Sequence, residues 1–203
     1  IYTNDNKASD KKPSHKADVY TDNKDDTHSY TCVDCSEPVA PEAHVFTNSD
    51  TCVCGAKAKV ITTDLDGGNV HYHATLPDAM EWVTNNVPPE SYVKVIPLVD
   101  YNGYFSIPEG AQLEGGEHTF SGTVNNNGKI LSGNFTDSVE NNGEILAGSF
   151  NFVTNHGIIQ SGSYTGPFTN SLAGVVNGGS FNCMIVNNGV IRNEPADGEE
   201  SKY

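Results

Sequence analysis

Basic residues are scarce in this chain. It carries 11 Lys and Arg against 26 Asp and Glu, a formal net charge of −15 over 203 residues. Residues 61–119 hold nine acidic residues and a single basic one, Lys94. A surface without a basic stripe does not attract the phosphates of nucleic acid or the anionic headgroups of a membrane. We therefore expect no nucleic-acid partner.

Long apolar runs are also missing. Hydrophobic residues make up 36% of the chain, and no stretch reaches the roughly 20 consecutive apolar residues that a membrane-spanning helix needs. We expect no membrane insertion. The chain starts at Ile1 with neither an initiator Met nor a signal peptide, so we expect an excised piece of a longer protein or a mature chain whose targeting signal has been removed.

What the chain has instead is a repeat of 14 to 17 residues. The copies read VNNNGKILSGNF from Val124, VENNGEILAGSF from Val139 and VTNHGIIQSGSY from Val153, and looser copies start at Phe168 and Ile185. Most copies combine a β-branched or aromatic residue, a polar pair next to Gly, an isoleucine and a closing aromatic residue. Self-similarity at a short period is typical of stacked, nearly identical structural units.

The equivalent offsets predict columns of like side chains. Stacking would put Val on Val, Ile on Ile and Phe on Phe, and would fill an interior that no single repeat could bury. Asparagines at one position would hydrogen-bond from rung to rung; the predicted members of this ladder are Asn126, Asn141, Asn155 and Asn187. Asn-Gly is also the strongest short hairpin signal, so an antiparallel meander is the alternative. Whether one repeat forms a whole coil or half of a wider one stays open.

A short helix is predicted ahead of the repeats. Thr75 or Asp78 can cap its start, and the Pro pair at 88–89 ends it. Its apolar face holds Leu76, Met80 and Val83. Such a helix would cover the open end of the stack. We therefore expect an all-β fold over residues 61–193, a short-repeat parallel β-solenoid capped by one short helix.

Four of the five cysteines fall in a separate module, residues 28–60. Cys-x-x-Cys has the spacing of a zinc knuckle, and Cys-x-Cys-Gly is a shortened version. Two thiolate pairs on separate tight turns can complete a tetrahedral Zn²⁺ site. The predicted ligands are Cys32, Cys35, Cys52 and Cys54, with His28 and His44 as alternates. A structural zinc ion would explain how so small a module folds; two disulfides in a secreted mini-domain are the competing interpretation.

Residues outside these two units carry weaker signals. Residues 1–27 are polar and predict a flexible tether, and residues 194–203 predict a polar tail or linker. Cys183 stands alone and is expected to be buried as a small apolar residue. His71 and His73 alternate along a probable strand, and we expect exposed residues near the helix rather than a metal or acid–base pair.

The segment TLPDAMEWV, the IPEG turn and the NNGxIxxGxF repeats resemble the right-handed β-helix stalks of secreted and cell-surface proteins of Gram-positive, largely gut-dwelling bacteria. The resemblance covers residues 60–193. The Cys/His segment is similar to the zinc-ribbon-like inserts of such proteins, with CVCGA one residue shorter than the usual CxxCGA. The resemblance implies a non-catalytic extracellular or cell-surface module, a stalk or adhesive surface for a host or cell-wall glycan or protein.

The alternative function is a polysaccharide lyase or hydrolase, because parallel β-helices also host such enzymes. That chemistry needs clustered carboxylates with basic partners. The plausible acids are Asp64, Asp66, Asp100, Glu109, Glu114 and Glu117. The sequence has no GxSxG, HExxH, P-loop or Rossmann fingerprint. We predict that the chain is not an enzyme.

Overall fold

The computed structural model describes residues 17–192. Its strands are β1 (Ala17–Asp22), β2 (Thr27–Cys32), β3 (Glu42–Ala43), β4 (Val60–Asp64), β5 (His71–His73), β6 (Val93–Pro97), β7 (Tyr101–Asn102), β8 (Phe105–Ile107), β9 (Ala111–Ser121), β10 (Val124–Asn126), β11 (Lys129–Asn141), β12 (Glu144–Ile145), β13 (Ser149–Asn155), β14 (Ile158–Ile159), β15 (Ser163–Tyr164), β16 (Phe168–Asn170), β17 (Val175–Val176), β18 (Ser180–Phe181), β19 (Ile185–Asn187) and β20 (Val190–Ile191). Within this range the single helix is α1 (Leu76–Asn86), between β5 and β6.

Strands β1, β2 and β3 form a small antiparallel sheet at the N-terminal end. Asp22 on β1 pairs with His28 on β2, and His28 pairs with Glu42 on β3. The tether predicted for residues 1–27 is therefore corrected over its described part, because residues 17–22 are a paired strand and belong to the module. Residues 1–16 of that tether and the predicted tail at 194–203 lie outside the described residues.

Strands β6 to β20 form one parallel β-solenoid, as the repeats predict. Strand β4 pairs antiparallel with β5 and with β6, and so joins the first coil of the solenoid. Val124 pairs with Val139, Val139 with Val153 and Val153 with Phe168, each partner one repeat further along. The pairing is parallel throughout the repeats, which excludes the meander. Because a residue meets its equivalent in the next copy, one repeat makes one full coil.

Each coil of the repeats contributes a short strand to each of three faces. We name the faces by the residue that commonly fills the interior: the valine face, the isoleucine face and the phenylalanine face. On the isoleucine face, seven strands or strand segments follow one another from β6 to β20 in the part of the chain that the structure describes. At roughly 4.8 Å per coil, this stack is about 30 Å long.

The interior consists of the predicted side-chain columns. The valines at 124 and 139 and the isoleucines at 130, 145 and 159 are fully buried. On the phenylalanine face, the rings of Phe135 and Phe150 stack 5.0 Å apart and nearly parallel. Phe120 extends this column by one coil beyond the predicted members, with its ring 4.9 Å from Phe135. Burial of equivalent apolar groups in successive coils is the main force holding the stack together.

The predicted asparagine ladder is present inside the valine face. Asn126 donates to Asn141 over 2.6 Å, Asn141 to Asn155 over 2.7 Å, and Asn155 to Asn170 over 2.8 Å. Asn170, which was not predicted, donates in turn to Asn187 over 2.8 Å. Asn126, Asn141, Asn155 and Asn170 are fully buried, and Asn187 is exposed in the last described coil. Hydrogen bonds between the buried amides fix the register between coils.

Glycine in the Asn-Gly pairs lets consecutive coils approach closely. A Cβ atom placed on Gly143 would lie 2.1 Å from the carbonyl oxygen of Gly128 in the preceding coil. The amide of Gly143 also donates to the carbonyl of Asn126 over 2.9 Å. The Asn-Gly pair therefore marks a corner of a coil here and not a two-residue hairpin.

Helix α1 covers the N-terminal end of the stack. The Thr75 hydroxyl accepts from the Asp78 amide over 3.2 Å, and the Asp78 carboxylate accepts from the Thr75 amide over 3.1 Å, so both predicted capping residues act together. The buried helix residues are Leu76, Ala79, Met80 and Val83. They join the solenoid core, and α1 contacts β8. Among the described residues, no helix has the length and hydropathy to cross a bilayer.

A candidate metal centre in the N-terminal module

A tight turn holds two of the cysteines. The Cys52 amide donates to the Ala56 carbonyl, and the Gly55 amide donates to the Cys52 carbonyl, each over 2.8 Å. Gly55 has a φ of 89°, which glycine adopts without strain. A bridge between Thr51 and Lys57 closes the turn. This turn brings together the thiols of Cys52 and Cys54, which have one residue between them in the sequence.

The turn meets strand β2 at His28. The Nδ1 atom of His28 lies 3.6 Å from the sulfur of Cys52. One ligand atom each from His28, Cys52 and Cys54 lies within 4.8 Å of the other two. An ion bound at Zn–S and Zn–N lengths near 2.0–2.3 Å holds tetrahedral ligands about 3.5 Å apart, so these three atoms need to move little to bind one. We call His28, Cys52 and Cys54 the metal triad.

Hydrogen bonding favours deprotonation of one member of the triad, Cys52. His28 and Cys52 are buried, and Cys54 is half-buried. Burial alone acts to raise the pKa of Cys52, but hydrogen bonds from the Cys54 and Val45 amides and from the Cys54 thiol outweigh it, and the net shift is downward. The pKa of Cys54 is raised, by burial and by its neighbour Cys52. These opposite shifts favour Cys52 over Cys54 as the first thiolate, the form that binds a metal ion.

His44 packs directly against the triad without joining it. Its ring stacks on that of His28, with centroids 5.7 Å apart and an angle of 7° between the planes. Its Nε2 atom lies 3.5 Å from Asp22 Oδ1, is buried, and makes no hydrogen bond within the described residues. The stacked ring fixes the orientation of the His28 imidazole, as outer-shell groups do at metal centres.

The structure thus separates the predicted ligands into two sets. Cys52 and Cys54 come together with His28, the residue predicted as an alternate ligand, and His44 lies beside them. Cys32 ends β2 and Cys35 lies in the turn that follows, and neither belongs to the triad. Sequence spacing could not reveal this, because the approach of β2 to the 52–56 turn is a tertiary contact.

The remaining residues singled out in the sequence, His71, His73 and Cys183, pack against other side chains of the protein. His73 is buried, its Nε2 hydrogen-bonds to the Thr62 hydroxyl over 2.9 Å, and its ring lies 5.7 Å from Trp82. Burial first, and then the neighbouring His71, lower the pKa of His73 to about 4. His71 is exposed, and the centroid of its ring lies 4.4 Å from that of the Trp82 ring. Cys183 is half-buried against the solenoid core, where burial raises its pKa.

Comparison with protein-family models, with curated proteins and with solved structures finds no match for this chain.

Proposed function

We propose that this chain is a non-catalytic module of a bacterial surface protein that works outside the cell. In this proposal the solenoid is a rigid stalk or interaction surface for a host or cell-wall glycan or protein, and the N-terminal module is held together by zinc. The observation that carries this proposal is that the solenoid interior is filled by side chains. Columns of apolar side chains and the asparagine ladder run through successive coils, which makes the stack a rigid rod.

The charged groups on the coils support a structural role. Lys129 forms a 3.0 Å ion pair with Glu144, and Gln160 donates to the same carboxylate over 2.8 Å. Gln160 accepts in turn from Asn177 over 2.8 Å. These side chains tie neighbouring coils together on the outside. Because these side chains already bond to one another, few of their donors and acceptors are open to a substrate.

The carboxyl pKa shifts also argue against an acid catalyst. A glycosidase needs a carboxyl group whose pKa is raised, so that it can donate a proton near neutral pH. Among the described residues, the carboxyl groups with a distinct shift are Asp22, Asp50, Asp100 and Glu144, and in each a hydrogen bond is the largest cause of a lowered pKa. These groups are therefore stabilised as carboxylates, which suits structural partners.

The acids available to the enzyme alternative are dispersed. Asp64 and Asp66 accept hydrogen bonds within one exposed turn, Asp100 accepts from the Thr119 amide over 2.8 Å, and Glu114 pairs with Lys94 over 3.1 Å. Asp100 has the most reactive setting of these, since His118 Nδ1 lies 3.4 Å from it. Asp100 is therefore the residue on which the test of catalysis must centre.

Two assays on one preparation test the function. Glycan-array binding and product assays on pectin, mucin and cell-wall polysaccharides are run on the wild type and on Asp100→Asn and Glu114→Gln. We expect saccharide binding without products, unchanged in both variants. Product formation that is lost in either variant would establish the enzyme alternative instead.

Zinc is the metal that the triad favours. One imidazole and two thiolates are borderline-soft donors, and they suit Zn²⁺ better than Mg²⁺ or Ca²⁺. Protein purified without added metal should contain about one zinc per chain by elemental analysis. His28→Ala and Cys52→Ser should each abolish this content, and Cys183→Ser should not. Wild-type protein without metal and with Cys52 and Cys54 oxidised would refute the zinc assignment.

A further inference from the structure

We propose that Cys32 and Cys35 form a dithiol–disulfide pair of their own, separate from the metal triad. The module would then contain one metal-binding element and one oxidisable element, in place of a single four-thiolate site. The proposal rests on the proposed zinc centre only in one respect, the protection of Cys52 and Cys54 from oxidation.

The local fold brings Cys32 and Cys35 together. Cys32 is the last residue of β2, and residues 33–35 form the turn that follows. The Ser36 amide donates to the Cys32 carbonyl over 2.8 Å, and the Cys32 amide donates to the Glu37 carbonyl over 2.9 Å. The bond from Ser36 to Cys32 closes an α-turn, a single helix-like turn, and Cys32 and Cys35 lie three positions apart within it. Residues three positions apart in such a turn are neighbours, and disulfides span Cα separations of about 4.4–6.8 Å. The Cys32 side chain acts to raise the pKa of the Cys35 thiol, as expected for two thiols held close together.

The surroundings of the pair differ from those of the triad. Cys32 is 2% exposed, whereas Cys35 is exposed to solvent. An exposed thiol next to a buried one is the arrangement in which the first reacts with an external reagent and the second resolves the product. The ionisable neighbours that act on Cys35 are Cys32 and Glu37, whereas those that act on Cys54 are Cys52 and Asp22.

The reaction is thiol–disulfide exchange with a small external disulfide such as oxidised glutathione. The Cys35 thiolate attacks one sulfur of the reagent, a Cys35–glutathione disulfide forms, and one glutathione thiolate leaves. The Cys32 thiolate then attacks the Cys35 sulfur and expels the second glutathione. The pair loses two electrons and two protons, and the reagent is reduced to two glutathione molecules. The product closes a short turn covalently.

The test maps every thiol of the full chain in a Cys183→Ser background. Zinc-loaded protein is treated with oxidised glutathione at mildly alkaline pH, because the pKa of Cys35 is raised, chiefly by its Cys32 neighbour against an opposing main-chain hydrogen bond at Glu37. Remaining thiols are alkylated under denaturing conditions and identified by peptide mass spectrometry. We expect a Cys32–Cys35 disulfide in most molecules, with Cys52 and Cys54 alkylated. In Cys32→Ser, Cys35 should carry one glutathione, because nothing can resolve the mixed disulfide.

The outcomes separate this proposal from the zinc centre. If Cys32 and Cys35 stay reduced until a chelator removes the metal, they are metal ligands and the proposal is wrong. Crossed disulfides such as Cys32–Cys52 would also overturn it. If the protein binds no zinc and forms both a Cys32–Cys35 and a Cys52–Cys54 disulfide, the zinc centre fails while the separate pairing stands.

Discussion

The side-chain amide of Asn141 donates to Oδ1 of Asn155 over 2.7 Å, and it accepts from Asn126 in the preceding coil over 2.6 Å. Asn141 is therefore the middle of a hydrogen-bonded chain that runs along the solenoid interior. Its side chain is fully buried. Because this position is closed to bulk solvent, the Asn141 amide depends on its neighbours in the coils before and after it.

Replacing Asn141 with Leu should be strongly destabilising. The change leaves the Asn126 amide and the Asn155 carbonyl oxygen without their ladder partners, at a cost of about 1–3 kcal/mol for each buried group. Asn142→Ala is the matched control, since its exposed side chain donates only to Asn125 over 3.0 Å. Urea unfolding followed by circular dichroism measures both. Equal midpoints for the two variants would mean that the ladder does not stabilise the stack.

Ile145→Asp should unfold the solenoid or destabilise it by several kcal/mol, because it buries an unpaired carboxylate in the packed isoleucine face. Ile145 is fully buried. The adjacent Glu144 points outward to Lys129, and Glu144→Gln should cost less than about 1 kcal/mol, the usual value of a partly exposed ion pair. Thermal unfolding compares the two. Similar tolerance at both positions would contradict the assigned inside–outside alternation.

Gly143→Ala should destabilise the protein by about 1–3 kcal/mol, through overpacking between coils. The added methyl group meets backbone, the Gly128 carbonyl, which cannot rotate away as a side chain could. Gly68→Ala is the control, because its nearest neighbour is the movable Asp66 carboxylate at 3.3 Å. The difference in melting temperature between these variants reports the cost of separating two coils. A Gly143→Ala protein as stable as Gly68→Ala would show that the coils can move apart freely.

The fold was predictable because each coil repeats the same pattern of residue types. Val, Asn, Gly, Ile and Phe return at fixed offsets, and parallel stacking buries each of them against its equivalent. Asn170 escaped prediction because Gly lies two positions after the ladder asparagine in the other copies and four positions after it here, at Gly174. The longer spacing hides the register of this copy. The extra residues of that copy form a turn in which Leu172 is 86% exposed, so they leave the column intact.

The metal triad was only partly predictable for a different reason. Paired cysteines indicate a candidate metal site. Which of the six Cys and His side chains are its ligands depends on how strand β2 packs against the 52–56 turn. No local pattern in the sequence encodes that contact. The antiparallel pairing of β1 with β2 was also missed. Residues 17–22 are mostly polar or small, and they gain partners 6 to 15 residues away only once the turn at 23–26 forms.

Stability should fall as pH is lowered from about 6.5 to about 4, owing to His73. The folded-state pKa of His73 is lowered to about 4 from an ordinary value of 6.5, because burial disfavours the charged ring. Between these values the unfolded chain binds a proton that the folded chain does not, so acid favours unfolding. Stability from this group is fully present above about pH 6.5, and its loss is complete below about pH 4. We expect a loss of about 1–2 kcal/mol over this range, allowing for partial solvent screening of the ring.

His73→Gln isolates this contribution. Glutamine can keep a hydrogen bond to the Thr62 hydroxyl, and it does not titrate. Urea midpoints are compared between pH 7 and pH 5 with a chelator present throughout, so that loss of metal from His28, Cys52 and Cys54 does not add its own pH dependence. The variant should lose part of the pH sensitivity of the wild type, while His71→Gln, at the exposed end of β5, should retain it. A wild type and a His73→Gln variant with the same pH sensitivity would show that the buried imidazole is not the group that responds, because removing the only proton acceptor at that position would then have changed nothing.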